Sequence, residues 1–221
     1  MRLGFRLLYR EMAWSYDLVS RIVSRGHWRD WQRAAVRYAR GPRLLDLAFG
    51  TGNLLIDWHA AGLRPVGIDL SPQMARIAAR KLRAQGRPLA LARGRAQALP
   101  FAAATFDSVV STFPAGFILE RSTVDEVARV LRPGGRFVVV VNACLTGRDL
   151  PSRFFEWLYT LTEQRPPLPP ADELALPDRL VARWERVAGE GWVATVLVGE
   201  KQGNHLSSQM IMLPKEGHSV K

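Results

Sequence analysis

Apolar positions along this chain recur in two rhythms. In the first forty residues Leu8, Met12, Tyr16, Val19 and Val23 fall three and four apart, which predicts helix. Ser24-Arg25-Gly26 interrupts that spacing. A second helix is predicted from about Trp28 to Arg40, ended by Gly41-Pro42. Short continuous apolar runs then predict strands over 43–48, 65–69, 89–93, 106–112 and 136–141. Helical patterns separate them. A turn and helix occupy about 50–62. Ser71-Pro72 opens another helix, with serine as N-cap and proline at the first helical position. A third spans Ser122–Leu131, with Thr123 and Glu126 as a candidate capping box.

Strands that alternate with helices imply parallel pairing through right-handed crossovers. Continuous apolar runs fit strands covered on both faces. The pattern changes after 145, where two proline pairs precede a predicted helix over Pro177–Ala188. Trp192–Val198 and Leu206–Leu213 are predicted to form a terminal antiparallel hairpin across Glu200–Asn204. The predicted fold is therefore α/β: an open seven-stranded, mostly parallel sheet with helices on both faces and a C-terminal antiparallel hairpin strand. It divides into an N-terminal helical cap (1–42), a core (43–144), an insertion or lid (145–190) and the hairpin (191–214).

Composition narrows the class. Of the 221 residues, 48% are hydrophobic and 23% charged, which excludes intrinsic disorder. A single cysteine, Cys144, excludes an intramolecular disulfide and a Cys-rich zinc site, and points to reducing cytosol. No apolar run reaches the ~18–20 residues of a membrane span. The N-terminal arginines precede no continuous apolar segment, so no signal peptide is expected. The net charge of +11 is uneven: residues 1–100 hold 18 basic and 6 acidic residues. Such a half is either a solvated arginine-rich surface or an attractor of nucleic acid, anionic lipid or an acidic substrate.

Ligands of open α/β sheets bind beyond the carboxyl ends of the strands. After the first strand stands Asp46-Leu47-Ala48-Phe49-Gly50-Thr51-Gly52, whose glycines allow a tight turn and close backbone approach. After the second stands Asp69, 17 residues beyond Gly52. That is near the ~20 expected between a glycine turn and a ribose-binding acid. A dinucleotide fingerprint would need glycine where Leu55 stands, and the G-K-[ST] of a phosphate loop is absent. A nucleoside without phosphates fits better; otherwise Gly50 and Gly52 serve only the strand-to-helix turn, and Asp46 bonds loop amides.

Five segments stand in order: RLLDLAFGTGNLL (43–55), VGIDLS (66–71), RAQALPF (95–101), Phe106-Asp107 and VLRPGGR (130–136). Together they resemble class I S-adenosylmethionine-dependent methyltransferases, over about residues 10–145. Ala48, where most of that superfamily has glycine, is similar to the ubiquinone/menaquinone biosynthesis C-methyltransferases. So are Tyr16-Asp17-Leu18, Ser24-Arg25-Gly26, Arg29 and Trp31. The resemblance implies a Rossmann-like fold and S-adenosylmethionine as cofactor. It places Asp46, Ala48, Gly50, Gly52, Asp69, Leu70, Arg95, Ala96 and Thr112 around that cofactor. It implies methyl transfer to a small apolar or aromatic acceptor, with quinol-like C-methylation the first choice.

Three departures accompany the likeness. Asn53 stands where an acid usually follows the glycine turn, Arg95 where Asn or Asp faces adenine, and Phe113-Pro114-Ala115-Gly116 where the quinone enzymes carry a Gly-Leu-Arg-Asn-like stretch. Arginine cannot accept a bond from the adenine amino group. Arg95 and Leu55 leave open a second class, a non-catalytic protein of the same fold that binds a ligand or partner. No metal is required for transfer from an activated methyl. Candidates for a base are His27, Tyr16, Glu120 and Glu156. The basic, aromatic N-terminal segment predicts peripheral contact with an anionic membrane from the cytoplasmic side. No appended RNA-binding module or amino-methylation motif points to nucleic acid. The sequence sets no oligomeric state.

Overall fold

The computed structural model describes residues 16–147 and 168–203. Helix α1 (Tyr16–Val23) and helix α2 (Trp28–Arg33) precede a 3₁₀ turn over Ala34–Arg37. Then come β1 (Arg43–Leu47), α3 (Asn53–Ala60), β2 (Arg64–Asp69), α4 (Pro72–Ala84), β3 (Leu91–Arg93), β4 (Phe106–Thr112), α5 (Arg121–Val130) and β5 (Leu131–Leu145). β6 (Leu180–Gly189) and β7 (Trp192–Lys201) complete one sheet, in the order β3-β2-β1-β4-β5-β7-β6. The pairs β1–β2, β1–β4, β2–β3 and β4–β5 are parallel; β7 runs antiparallel to β5 and β6. The order reverses between β1 and β4, so the ligand crevice of such a sheet lies beyond Leu47 and Thr112.

Both faces of β1 are buried, as its unbroken apolar run requires. Leu45 and Leu47 pack with Val109, Phe137 and Val139 of the sheet and with Val124, Val127 and Val130 of α5. Leu44, Val110, Val138 and Val140 pack on the other face with Leu54, Leu55 and Trp58 of α3, Ala78 and Leu82 of α4, and Trp31 of α2. Helix α4 starts as predicted: Ser71 Oγ accepts a bond from Met74 N at 3.3 Å, with Pro72 in the first turn.

Two local predictions are corrected. The start of α5 is not a Thr123–Glu126 capping box. Glu120 precedes the helix without a side-chain cap, Thr123 is buried, and the Glu126 carboxylate accepts from Leu99 N at 2.7 Å and from Arg129. The segment predicted as helix over Pro177–Ala188 is largely β6. Leu180, Val181, Trp184 and Val187 do fall at helical intervals, but an unbroken ladder from Leu180↔Lys201 to Gly189↔Trp192 overrides that spacing. The hairpin therefore turns at Glu190-Gly191, where Gly191 has φ +74°. Leu206–Leu213, predicted as its second strand, lies outside the described residues.

Candidate functional site

The turn after β1 is built from left-handed residues. Ala48, Gly50 and Gly52 have φ of +62°, +57° and +77°. Ala48 N donates to Ile68 O at 2.7 Å, which binds the turn to β2. A Cβ on Gly52 would lie 2.7 Å from the Ala78 Cβ, so α4 presses directly against this backbone. Glycine is thus required here by both conformation and space.

Asp69, at the end of β2, holds the turn from the side. Its Oδ2 accepts from Gly50 N at 2.9 Å and its Oδ1 from Ser71 N at 2.7 Å. A carboxylate has about four acceptor sites, so capacity remains beside these amides for a ligand hydroxyl. Burial raises the Asp69 pKa, while bonds from the Ser71, Gly50 and Leu70 amides act against that rise. Asp46 is fully buried in β1. Burial first, then the Asp69 charge, holds its carboxyl well above the ordinary range. Its Oδ2 has no hydrogen-bond partner among the described residues. Such an orphaned acceptor beneath the turn is costly unless a ligand or water supplies a donor.

The remaining cofactor candidates extend from this centre. Leu70 is 56% exposed and offers an apolar surface directly after Asp69. Ala96 is buried beside Leu99 in the core, whereas Arg95 is exposed and its carbonyl accepts from Ala98 N at 3.2 Å. Thr112, at the end of β4, accepts through Oγ1 from Gln32 Nε2 at 3.3 Å.

Of the four candidate bases, His27 and Glu120 have described side chains, and their partners differ. His27 precedes α2, with Nδ1 3.5 Å from Asp30 Oδ2. It lines a groove of about 370 Å³ with Asp30, Arg33, Arg37, Val187 and Trp192. Glu120 is exposed and accepts from Gln97 Nε2 at 2.8 Å. Tyr16 is the first residue of α1. Glu156 lies outside the described residues, as do the aromatics of 154–159.

Two connections were not foreseen from sequence. Asp17 accepts from Thr51 Oγ1 at 2.7 Å and from Asn53 Nδ2 at 3.2 Å, and also pairs with Lys81. Half-burial pushes its carboxyl up, but the bonds from Lys81, Thr51 and Asn53 outweigh this and hold it below the usual range. A signal was available: Lys81 is the only lysine before residue 201 in a chain with 31 basic residues. A compact ammonium in place of a guanidinium suggests a confined position. The second connection is aromatic. Phe113 follows β4 with φ +51° and stacks on Trp28, ring centroids 4.5 Å apart, with Trp31 at 6.1 Å. The helical cap therefore lies across the carboxyl ends of both β1 and β4.

Comparison with known proteins agrees with this geometry. Residues 44–135 match the family described as a methyltransferase domain. The demethylmenaquinone methyltransferase of Thermus thermophilus is 40% identical over 139 residues, covering 60% of this chain and 63% of that protein. The ubiquinone/menaquinone biosynthesis C-methyltransferase of Syntrophotalea carbinolica is 41% identical over 142 residues, 61% of this chain and 60% of that protein. The chain thus matches under two thirds of the length of these curated relatives. Among solved structures, geranyl diphosphate C-methyltransferase from Streptomyces coelicolor, with S-adenosyl-L-homocysteine bound, superposes with TM-score 0.55 at 16% identity. That match covers 82% of each chain. Residues 44–135 thus match a methyltransferase-domain family, in a chain with the fold of S-adenosylmethionine-dependent methyltransferases and a sequence similar to the quinone C-methyltransferases.

Proposed function

We propose that this protein transfers the methyl group of S-adenosylmethionine to a small apolar aromatic acceptor, with a quinol carbon the first choice. The observation that carries this reading is the Asp69 carboxylate. It is fixed by backbone amides, with acceptor capacity left for a ligand hydroxyl, beside a turn held in left-handed conformation at Gly50 and Gly52. The residues present fit the cofactor. Asp69 would take the ribose hydroxyls, the Gly50–Gly52 backbone and the orphaned Asp46 carboxyl would face the methionine part, and Leu70 and Ala96 would flank the adenine. Arg95 leaves the adenine to backbone groups.

When bound, S-adenosylmethionine supplies a methyl already activated by a positive sulfur. The protein's task is then alignment and exclusion of water. Trp28 of the cap and Phe113 after β4, stacked on each other and partly buried, supply rigid apolar surface suited to a flat acceptor. The likeness to demethylmenaquinone methyltransferases supports a quinol acceptor.

The same cap supports contact with an anionic membrane from the cytoplasmic side. Leu18 and Ile22, one turn apart on α1, are 58% and 55% exposed, with Arg21 and Arg25 beside them. No helix among the described residues is long and apolar enough to cross a membrane, so this contact is peripheral. Two assays test the proposal: methyl transfer to a panel of phenols and quinols, and vesicle sedimentation at low and high salt. Transfer to a quinol ring carbon and salt-sensitive sedimentation are expected. No transfer to any quinol overturns the acceptor. Sedimentation that is absent or indifferent to salt overturns the membrane contact.

A further inference from the structure

One carboxylate fastens the N-terminal helix to the glycine turn. Asp17 on α1 accepts from Thr51 inside the turn and from Asn53 at the start of α3, and pairs with Lys81 on α4. Lys81 Nζ also donates to Asn53 Oδ1 at 2.8 Å, which closes the set into a ring of charge-assisted bonds. Three structural units meet there. Each bears on the cofactor crevice: Thr51 lies between Gly50 and Gly52, Asn53 begins the helix that the turn opens, and α4 starts just beyond Asp69 while its Ala78 abuts Gly52.

Helix α3 has no acidic residue in its own first turn. Asp17 delivers a negative charge to that region from a separate segment, in keeping with the polarity of a helix start. The Asn53 amide donates to Asp17 while its carbonyl oxygen accepts from Lys81. Half-burial of the pair limits solvent screening.

We infer that Asp17 is a positioning residue for the cofactor, and that the docked N-terminal helix is part of the cofactor site as well as a cover for the acceptor. The inference rests on the cofactor reading above. Cofactor that binds only the held form of the turn must favour docking of α1, and docking must raise cofactor affinity by the same factor.

The experiment uses the full-length protein with S-adenosylhomocysteine as probe. Its dissociation constant is measured by calorimetry for the parent, Asp17→Ala, Asp17→Glu and Lys81→Met. Trypsin cleavage after Arg21 and Arg25 is timed with and without the probe. Asp17→Ala is expected to weaken binding at least fivefold and to remove most of the probe's protection of those two sites. Asp17→Glu recovers part of both. Lys81→Met gives a smaller loss of the same kind, and supplies the measurement if Asp17→Ala does not fold. A merely structural role would lower thermal stability equally with and without probe and leave the dissociation constant unchanged; that result overturns the inference. Failure of the parent itself to bind the probe overturns the cofactor reading, and is told apart because the parent alone reveals it.

Discussion

Two neighbouring residues in the glycine turn respond oppositely to exchange of a single methyl group. Gly52→Ala places a Cβ on a residue with φ +77°, where it meets the Ala78 Cβ at 2.7 Å and the Ala78 Cα at 3.2 Å. The left-handed conformation costs alanine about 1–2 kcal/mol. Forcing a methyl against packed backbone costs about 1–3 kcal/mol more. Stiffening the unfolded chain returns roughly 0.5–1 kcal/mol. The expected destabilisation is about 1–4.5 kcal/mol, or roughly 2–18 °C in a domain of this size. Ala48 already occupies such a conformation, at φ +62°. Ala48→Gly relieves the strain at the cost of chain entropy, for an expected gain of about 0.5–1 kcal/mol. Urea unfolding followed by tryptophan fluorescence measures both, provided the slope with denaturant is unchanged. A Gly52→Ala protein within about 0.5 kcal/mol of the parent, or an Ala48→Gly protein clearly less stable than it, refutes the reasoning.

Three further outcomes are expected. Asp69→Ala would remove the ribose bonds proposed for it, each contributing at most about 1.5–3 kcal/mol, so S-adenosylhomocysteine should bind at least tenfold more weakly by calorimetry. Arg95→Asp should preserve or strengthen that binding; its collapse in a folded protein would give the arginine a direct part. Asp46 has a raised pKa in the folded state, so it withdraws stability as pH rises past the ordinary carboxylate range. Asp46→Asn should therefore flatten the decline in melting temperature across that range while weakening cofactor binding, both read by thermal melts across pH.

Where the signal was local, the sequence was legible. The strands at 43–47, 64–69 and 106–112 announce themselves as apolar runs, and Ser71-Pro72 marks the start of α4 within the chain itself. The glycine turn and Asp69 could be placed because each follows a strand, and the parallel topology brings those ends together. Long-range pairing was not legible. Residues 180–189 carry helical spacing and become a strand only because β7 supplies a complete partner. The Trp28–Phe113 stack and the Asp17–Lys81 pair join residues far apart in sequence, with no periodicity to connect them.

The strand order has a consequence for how the chain comes into being. Synthesis delivers β1, β2 and β3 first, and these grow outward in one direction from β1. The opposite edge of β1 must wait for β4, at 106–112. At ribosomal rates of about 5–20 residues per second that wait lasts several seconds. Throughout it, Leu44 and Leu45 border a row of unpaired backbone groups, the kind of edge that recruits a second nascent chain. The edge where the strand order later reverses is thus, during birth of the molecule, a surface that a chaperone would need to shield.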